Sequence, residues 1–339
     1  MKPEALLHPT PKGLYCPPGD FYIDPVAGGV DRAVVTHGHA DHARAGHGAV
    51  LATPETIEIM ATRYGEEFTA SRQPAEIGEV VTMNGVSVWL VPAGHVLGSA
   101  QVVVEHKGTR MVCTGDYKRR RDPTCAEFEV VNCDVFISEA TFGLPVFRHP
   151  DTAGEVFKLL DSVRKNPERA HLVGAYALGK AQRIIRHLRE FGYDEPIYIH
   201  GACRKLCALY ERLGVDLGPL EDATIKDGRG AKQDFAGKII VCPPGAMNST
   251  WARRFPEPMT CFASGWMRVR GRARQRGVEL PLIISDHADW DELTTTVEEV
   301  DPAQLWVTRG REDALVRWAE VQGRSAQALH LVGYEDENE

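Results

Sequence analysis

The segment AVVTHGHADHARAG, residues 33–46, crowds three histidines and an aspartate into six positions, directly after an apolar run that reads as buried strand. Neutral imidazole nitrogens and carboxylate oxygens are the donors that zinc and similar divalent ions accept, so His37, His39, Asp41 and His42 form a candidate metal site. The competing reading, a solvated polar loop, is disfavoured because desolvating this many polar groups beside an apolar strand requires partners.

Working outward, the first third of the chain reads as β-rich. Short runs of Val, Thr and aromatic residues recur, with Lys107-Gly108 as a hairpin turn between QVVVEH and TRMVCTGD. Each conspicuous polar residue follows such a run: His95 after VWLVPAG, Asp116 after VCTG and Glu139 after DVFIS. Side chains at neighbouring strand ends converge at one sheet edge, where a rigid scaffold presents a site. From about residue 150 the pattern becomes alternating helix and strand, which signals a parallel sheet with crossover helices. Near residue 280, LPLIISDHADWDEL and AQLWVTRGRE again set polar residues beyond apolar strands. The organisation expected is a β-rich domain interrupted by an α/β insertion.

At 339 residues, with 43% hydrophobic and 25% charged content, the chain is long enough for about two domains. No apolar run approaches the roughly 20 residues of a membrane span and no leader pattern is visible, so a cytoplasmic protein with no membrane partner is expected. The eight cysteines are scattered and read as reduced; Cys203 and Cys207, four apart with no second pair nearby, read as packing residues. A net charge of −8 argues against a protein that simply coats nucleic acid, although two basic runs remain. One is Lys118-Arg119-Arg120-Arg121, close enough after Asp116 to approach a substrate. The other is MRVRGRARQRG, residues 267–277, whose alternating arginines would share one face of an extended segment, as a phosphate track or a solvated edge.

THGHADH resembles the HxHxDH signature of the metallo-β-lactamase fold, and Asp24, His37, His39, Asp41, His42, His95 and Asp116 are similar, in order, to that superfamily's four motifs. Glu139 in SEATFG, the segment AYALGKAQ and His287 in SDHADW further resemble the β-CASP nucleases, which carry a second domain inserted into that fold. GLYCPPGDFYIDP, TGDYKRRRDPTC and SEATFGLPVFR are similar to the bacterial ligase-associated DNA exonucleases, a resemblance that runs along nearly the whole chain.

The resemblance implies an α/β protein: a four-layered αββα sandwich over residues 1–146 and 268–339, with an inserted α/β β-CASP domain over 147–267. It implies two divalent ions, zinc or alternatively manganese. His37, His39, His95 and Asp116 would bind the first, Asp41 and His42 the second, with Asp116 bridging and Asp24 ordering the metal loop. The residues agree: alternating His37 and His39 face one side of an extended loop, while Asp41 and His42 begin what reads as a helix and turn toward an adjacent ion. Two such ions suit in-line phosphodiester hydrolysis, with Asp41, Glu139 and His287 as catalytic groups. The resemblance further implies DNA as substrate, single-stranded or at ends, attack from the 5′ end in the groove between the domains, and a functional link in repair to an ATP-dependent ligase and a helicase. A β-CASP ribonuclease is the alternative within enzymes, and an inactive nucleic-acid-binding partner subunit the alternative outside them. One departure stands out. Many β-CASP proteins end the strand equivalent to LWVTRG in His-Gly, and this chain has Arg309 before Gly310. Guanidinium offers only donors, so the second ion is expected to be weakly held or absent, or Arg309 to clamp a phosphate, with Arg270 and Arg272 as further phosphate contacts.

Overall fold

A computed structural model of the chain describes residues 1–224, 235–255 and 257–331. They form two compact units, 1–148 with 287–339, and 149–286.

In the first unit the alternation of apolar and polar residues builds two sheets. The six-stranded sheet follows chain order through His8–Thr10, Gly13–Cys16, Phe21–Ile23, Arg32–Val34, His47–Ala52 and Thr69–Pro74. The seven-stranded sheet runs in space through Ala326–Ala328, Gln304–Thr308, Val135–Glu139, Thr109–Cys113, Ala100–His106, Val86–Pro92 and Val81–Met83. Side chains on a strand alternate between faces, so Val102 and Val104 point to one side and Val103 to the other. The inner faces meet in one core, with Leu14, Phe21, Ile23 and Val34 of the first sheet against Val88, Val102, Met111, Ile137 and Trp306 of the second. Outside the first sheet, helix Pro54–Tyr64 lays Ile57 and Met60 over Val35 and Val50. Outside the second, helices Trp290–Val300 and Glu312–Val321 lay Leu293, Val297 and Leu315 over Val103, Val112 and Leu305. The result is the expected αββα order. The Lys107-Gly108 turn is a two-residue hairpin with both residues left-handed, φ 48° and 76°.

Parallel pairing positions the functional residues. Glu139 is registered with Thr308, and Cys113 with Ile137. The strands ending at Cys113, Glu139 and Thr308 therefore run side by side and deliver Asp116, Glu139 and Arg309 to one edge.

The second unit is a six-stranded sheet in the order Leu220–Asp222, Ile197–Ile199, Ile239–Cys242, His171–Gly174, Met259–Ala263, Leu280–Leu282, with every pairing parallel. Helix Thr152–Lys165 leads into its first strand, and helices Lys180–Glu190 and Gly201–Arg212 connect the strands that follow. The return to the first unit differs from the position 268 read from sequence. Strand Leu280–Leu282 pairs with Met259–Ala263, so residues 268–286 belong to the second unit. The alternating arginines are also not extended. Gly265–Arg268 is a 3-10 turn and Arg270–Gln275 a short helix, because Met267 and Ala273 pack against Phe262. At about 100° per residue a period of two spreads guanidinium groups around a helix. Arg270 and Arg272 are exposed, and Arg272 lies over the Trp266 ring, 3.9 Å from its centroid. Among the described residues no helix is long and apolar enough to cross a membrane.

Trp306, fully buried where the two sheets of the first unit meet, is the largest side chain of that core. Trp306→Ala is expected to destabilise the first unit by about 3–5 kcal/mol, read from the urea unfolding midpoint.

Candidate metal centre

Beyond Val34 the chain makes a single helical turn, in which the N–H groups of His42 and Ala43 both bond to the His39 carbonyl, at 3.2 and 2.8 Å. This is not the start of the helix expected at Asp41. The next strand begins at His47 in parallel with Arg32–Val34, which leaves no length to propagate one. Asp24 holds the turn from beneath. Itself left-handed at φ 43°, it accepts the Thr36 N–H at 2.8 Å and the Thr36 hydroxyl at 2.6 Å, and meets His42 Nδ1 at 2.8 Å.

Three rings converge above this support. His39 Nδ1 lies 3.1 Å from His37 Nε2 and 3.0 Å from His95 Nε2, and Asp116 Oδ2 lies 3.5 Å from His37 Nε2 and 3.9 Å from His95 Nε2. One ring nitrogen carries either one lone pair or one hydrogen, so His39 Nδ1 satisfies only one of its two neighbours well. A divalent ion accepts every lone pair at once, and three nitrogens with one carboxylate oxygen suit zinc. Burial, with the charges of His42 and His95, holds the His37 pKa well below the ordinary histidine value, which keeps it in the neutral form that binds metal. His37, His39, His95 and Asp116 therefore fit a metal ion.

Asp41, His42 and Asp116 form a second acidic group, with His42 Nε2 3.3 Å from Asp41 and 3.1 Å from Asp116 Oδ2. Arg309 enters it. Its Nη1 donates to Asp116 Oδ1 at 2.8 Å and stands against the His42 ring, and Nη2 lies 3.7 Å from Asp24. Burial and Arg309 oppose charge on His42, but Asp116, Asp41 and Asp24 outweigh them and raise its pKa well above the ordinary value. Asp41 and Asp116 are held well below the carboxylate range by His42 and Arg309 despite burial. With a guanidinium among its donors, this group does not fit a second ion as it stands.

Glu139 and His287 come together beside the first cluster. His287 Nδ1 lies 3.1 and 3.0 Å from the two Glu139 oxygens, and its ring centroid is 4.8 Å from that of His95. Glu139 is fully buried and accepts the Tyr117 N–H at 2.8 Å.

In the basic run after Asp116, three side chains meet carboxylates. Lys118 Nζ donates to the His287 carbonyl at 3.0 Å and to Glu292 at 2.9 Å, Arg119 pairs with Glu299 at 2.6 Å, and Arg120 pairs with Asp289 at 2.7 Å. Asp289 and Glu292 are themselves a reciprocal N-terminal cap of helix Trp290–Val300. The run thus ties the segment that carries His287 to the loop that carries Asp116. Thr36, Asp289 and Glu292 were not singled out from sequence as site residues. The D-x-x-E spacing ahead of an apolar-periodic run was a legible signal for the last two.

Comparison with known proteins accords with this geometry. Residues 27–174 match the family model of the metallo-beta-lactamase superfamily. Over 319 residues the chain is 28% identical to a probable DNA ligase of Opitutus terrae, covering 91% of this chain and 30% of the relative. It is 23% identical over 388 residues to cleavage and polyadenylation specificity factor subunit 3-I of Arabidopsis thaliana, covering 92% and 55%. It is 27% identical over 286 residues to a ribonuclease of Thermus thermophilus, covering 74% and 64%. The chain thus spans between about a third and two thirds of the length of these relatives. A crystal structure of a protein of unknown function from Enterococcus faecalis V583 aligns at a TM-score of 0.56 and 14% identity over 81% of this chain and 74% of that one, a likeness of fold.

The Lys118–Glu292 pair generates a pH prediction. Burial opposes the Glu292 charge, but Lys118, the Asp289 N–H and Arg120 outweigh it and bring its pKa to about 2, against an ordinary 4.5. A depressed folded pKa stabilises above the unfolded value, and that contribution, on the order of 3 kcal/mol, is lost as pH falls from about 4.5 toward 2. Urea unfolding midpoints from pH 6 to pH 3 are expected to fall more steeply for the parent protein than for Lys118→Met/Glu292→Leu. Equal slopes would show that the pair carries no acid sensitivity.

Proposed function

This chain carries a metallo-β-lactamase domain and has β-CASP nucleases among its homologues, and from that premise we propose that it is a metal-dependent phosphodiester hydrolase acting on DNA. In this reading it is an exonuclease that degrades single strands or ends from the 5′ side, in repair coupled to an ATP-dependent ligase and a helicase. The observation that carries the hydrolase reading is one edge where His37, His39, His95 and Asp116 converge beside the Glu139–His287 pair. DNA is favoured by the Opitutus relative, a probable DNA ligase whose alignment covers 91% of this chain. The Thermus thermophilus relative, a ribonuclease, keeps RNA as the second reading.

His37, His39, His95 and Asp116 would hold a zinc ion, or manganese, which would supply Lewis acidity for activating water and polarising a phosphoryl oxygen. The chain's own residues do the rest. Asp41 accepts the proton of the attacking water as its oxygen bonds to phosphorus. The P–O bond to the leaving oxygen breaks, and His287 Nε2 delivers a proton to that oxygen. Glu139 at Nδ1 fixes the tautomer and stabilises the imidazolium before transfer. Asp24 acts through Thr36 and His42 and holds the loop in place.

Matched DNA and RNA oligonucleotides, labelled at either end, test the reading. Stepwise loss of DNA from the 5′ end is expected, abolished by chelation and restored by zinc or manganese. His287→Ala is expected to keep its metal and lose about 10²–10⁴-fold in rate, the reach of one positioned acid or base. Cleavage of RNA alone would transfer the proposal to the ribonuclease reading. Absence of cleavage by metal-replete protein on both polymers would leave only a binding role.

A further inference from the structure

We propose that Arg309 is a built-in replacement for a second metal ion: its guanidinium fills the position between His42 and Asp116, and the protein holds one divalent ion at His37, His39, His95 and Asp116. The inference rests on the metal-centre reading above and adds the ion count.

Asp116 is engaged at both oxygens. Oδ2 lies 3.5 and 3.9 Å from the His37 and His95 nitrogens and 3.1 Å from His42 Nε2, while Oδ1 accepts from Arg309 Nη1 at 2.8 Å. A carboxylate placed this way could bridge two cations, and here the one on the second side is covalently part of the chain. The same Nη1 stands against the His42 ring, and Nη2 approaches Asp24, so one guanidinium touches the second group's histidine, the shared carboxylate and the acid beneath both. Zinc requires such donors at about 2.0–2.2 Å, inside the space that Nη1 occupies. A fixed positive charge there also repels a divalent ion in surroundings that screen little, since only 8% of the Arg309 side chain is exposed.

The backbone is arranged to deliver this side chain. Arg309 is left-handed at φ 66°, a conformation uncommon for a residue with a side chain, and it immediately follows strand Gln304–Thr308. Its N–H is held by Glu312 at 2.9 Å. The next residue must be glycine, because a Cβ at Gly310 would sit 2.2 Å from the Ala140 carbonyl oxygen. That close approach locks residue 309 to the end of the strand that supplies Glu139. The charge balance agrees: three carboxylates, Asp24, Asp41 and Asp116, surround His42, and Arg309 offsets part of their charge.

The test is the ion count, read without substrate. Protein loaded with zinc and dialysed against metal-free buffer is analysed by elemental mass spectrometry, with thermal unfolding followed during zinc titration. One tight equivalent is expected for the parent protein. His39→Ala should fall to none and Asp41→Ala should stay at one, because Asp41 belongs to the group Arg309 fills. Arg309→His should rise to two, with a thermal midpoint that responds to a second equivalent where the parent's does not. Two tight equivalents in the parent, or loss of the single ion in Asp41→Ala, would overturn the inference while leaving a metal centre in place. No tight ion in the parent would instead remove the metal-centre reading itself. The parent and Asp41→Ala counts decide the matter even if the Arg309 variant fails to fold.

Discussion

The Asp116 carboxylate is the group on which the site depends. It is almost completely buried, and a charge so placed is tolerable only when each oxygen is neutralised at close range. One oxygen meets His42 Nε2 at 3.1 Å beside the imidazoles of His37 and His95, and the other takes the Arg309 guanidinium. Removing either partner set would leave a buried anion uncompensated. The geometry of the histidines, the conformation of residue 309 and the support from Asp24 are therefore parts of one electrostatic solution.

That solution is affordable because the sandwich brings strand ends together. Two sheets sharing one apolar core, each covered outside by helices, place the loops after Val34, Cys113, Glu139 and Thr308 at a common edge. Parallel register puts Glu139 beside Thr308, so that His287, Glu139 and Arg309 are neighbours although they are far apart in the chain. The rigidity comes from packing, and the chemistry from side chains the packing leaves at the rim.

Positive charge is used here for construction. Lys118 and Arg120 neutralise Glu292 and Asp289, and in doing so hold the backbone that carries His287. Arg183 behaves likewise in the second unit, bonding Asp286 at 2.7 Å. Desolvated pairs of this kind specify a position, since each charge has one favourable partner within reach.

The candidate metal-binding residues were legible in the sequence because their signal is local. His37, His39, Asp41 and His42 lie within one loop, and His95, Asp116 and Glu139 each follow an apolar run whose alternation marks a strand end. Residue type and the two-residue period of a strand marked these as candidates, while the αββα order and the assignment of ligands to ions rested on the resemblance to the metallo-β-lactamase fold. What depends on residues distant in the chain was decided only by tertiary structure. MRVRGRARQRG reads as an extended track, yet Met267 and Ala273 seek the Phe262 surface and coil it into a turn and a helix. The insertion extends to residue 286 because Leu280–Leu282 finds its partner in Met259–Ala263. Lys118 reads as a surface cation and is buried against Glu292, and Arg309 reads as a poor ligand while only its placement shows it inside the ligand group. Local composition and periodicity determine which face of a segment is apolar; which charge meets which depends on how far each strand carries its end, and that distance exists only in the folded chain.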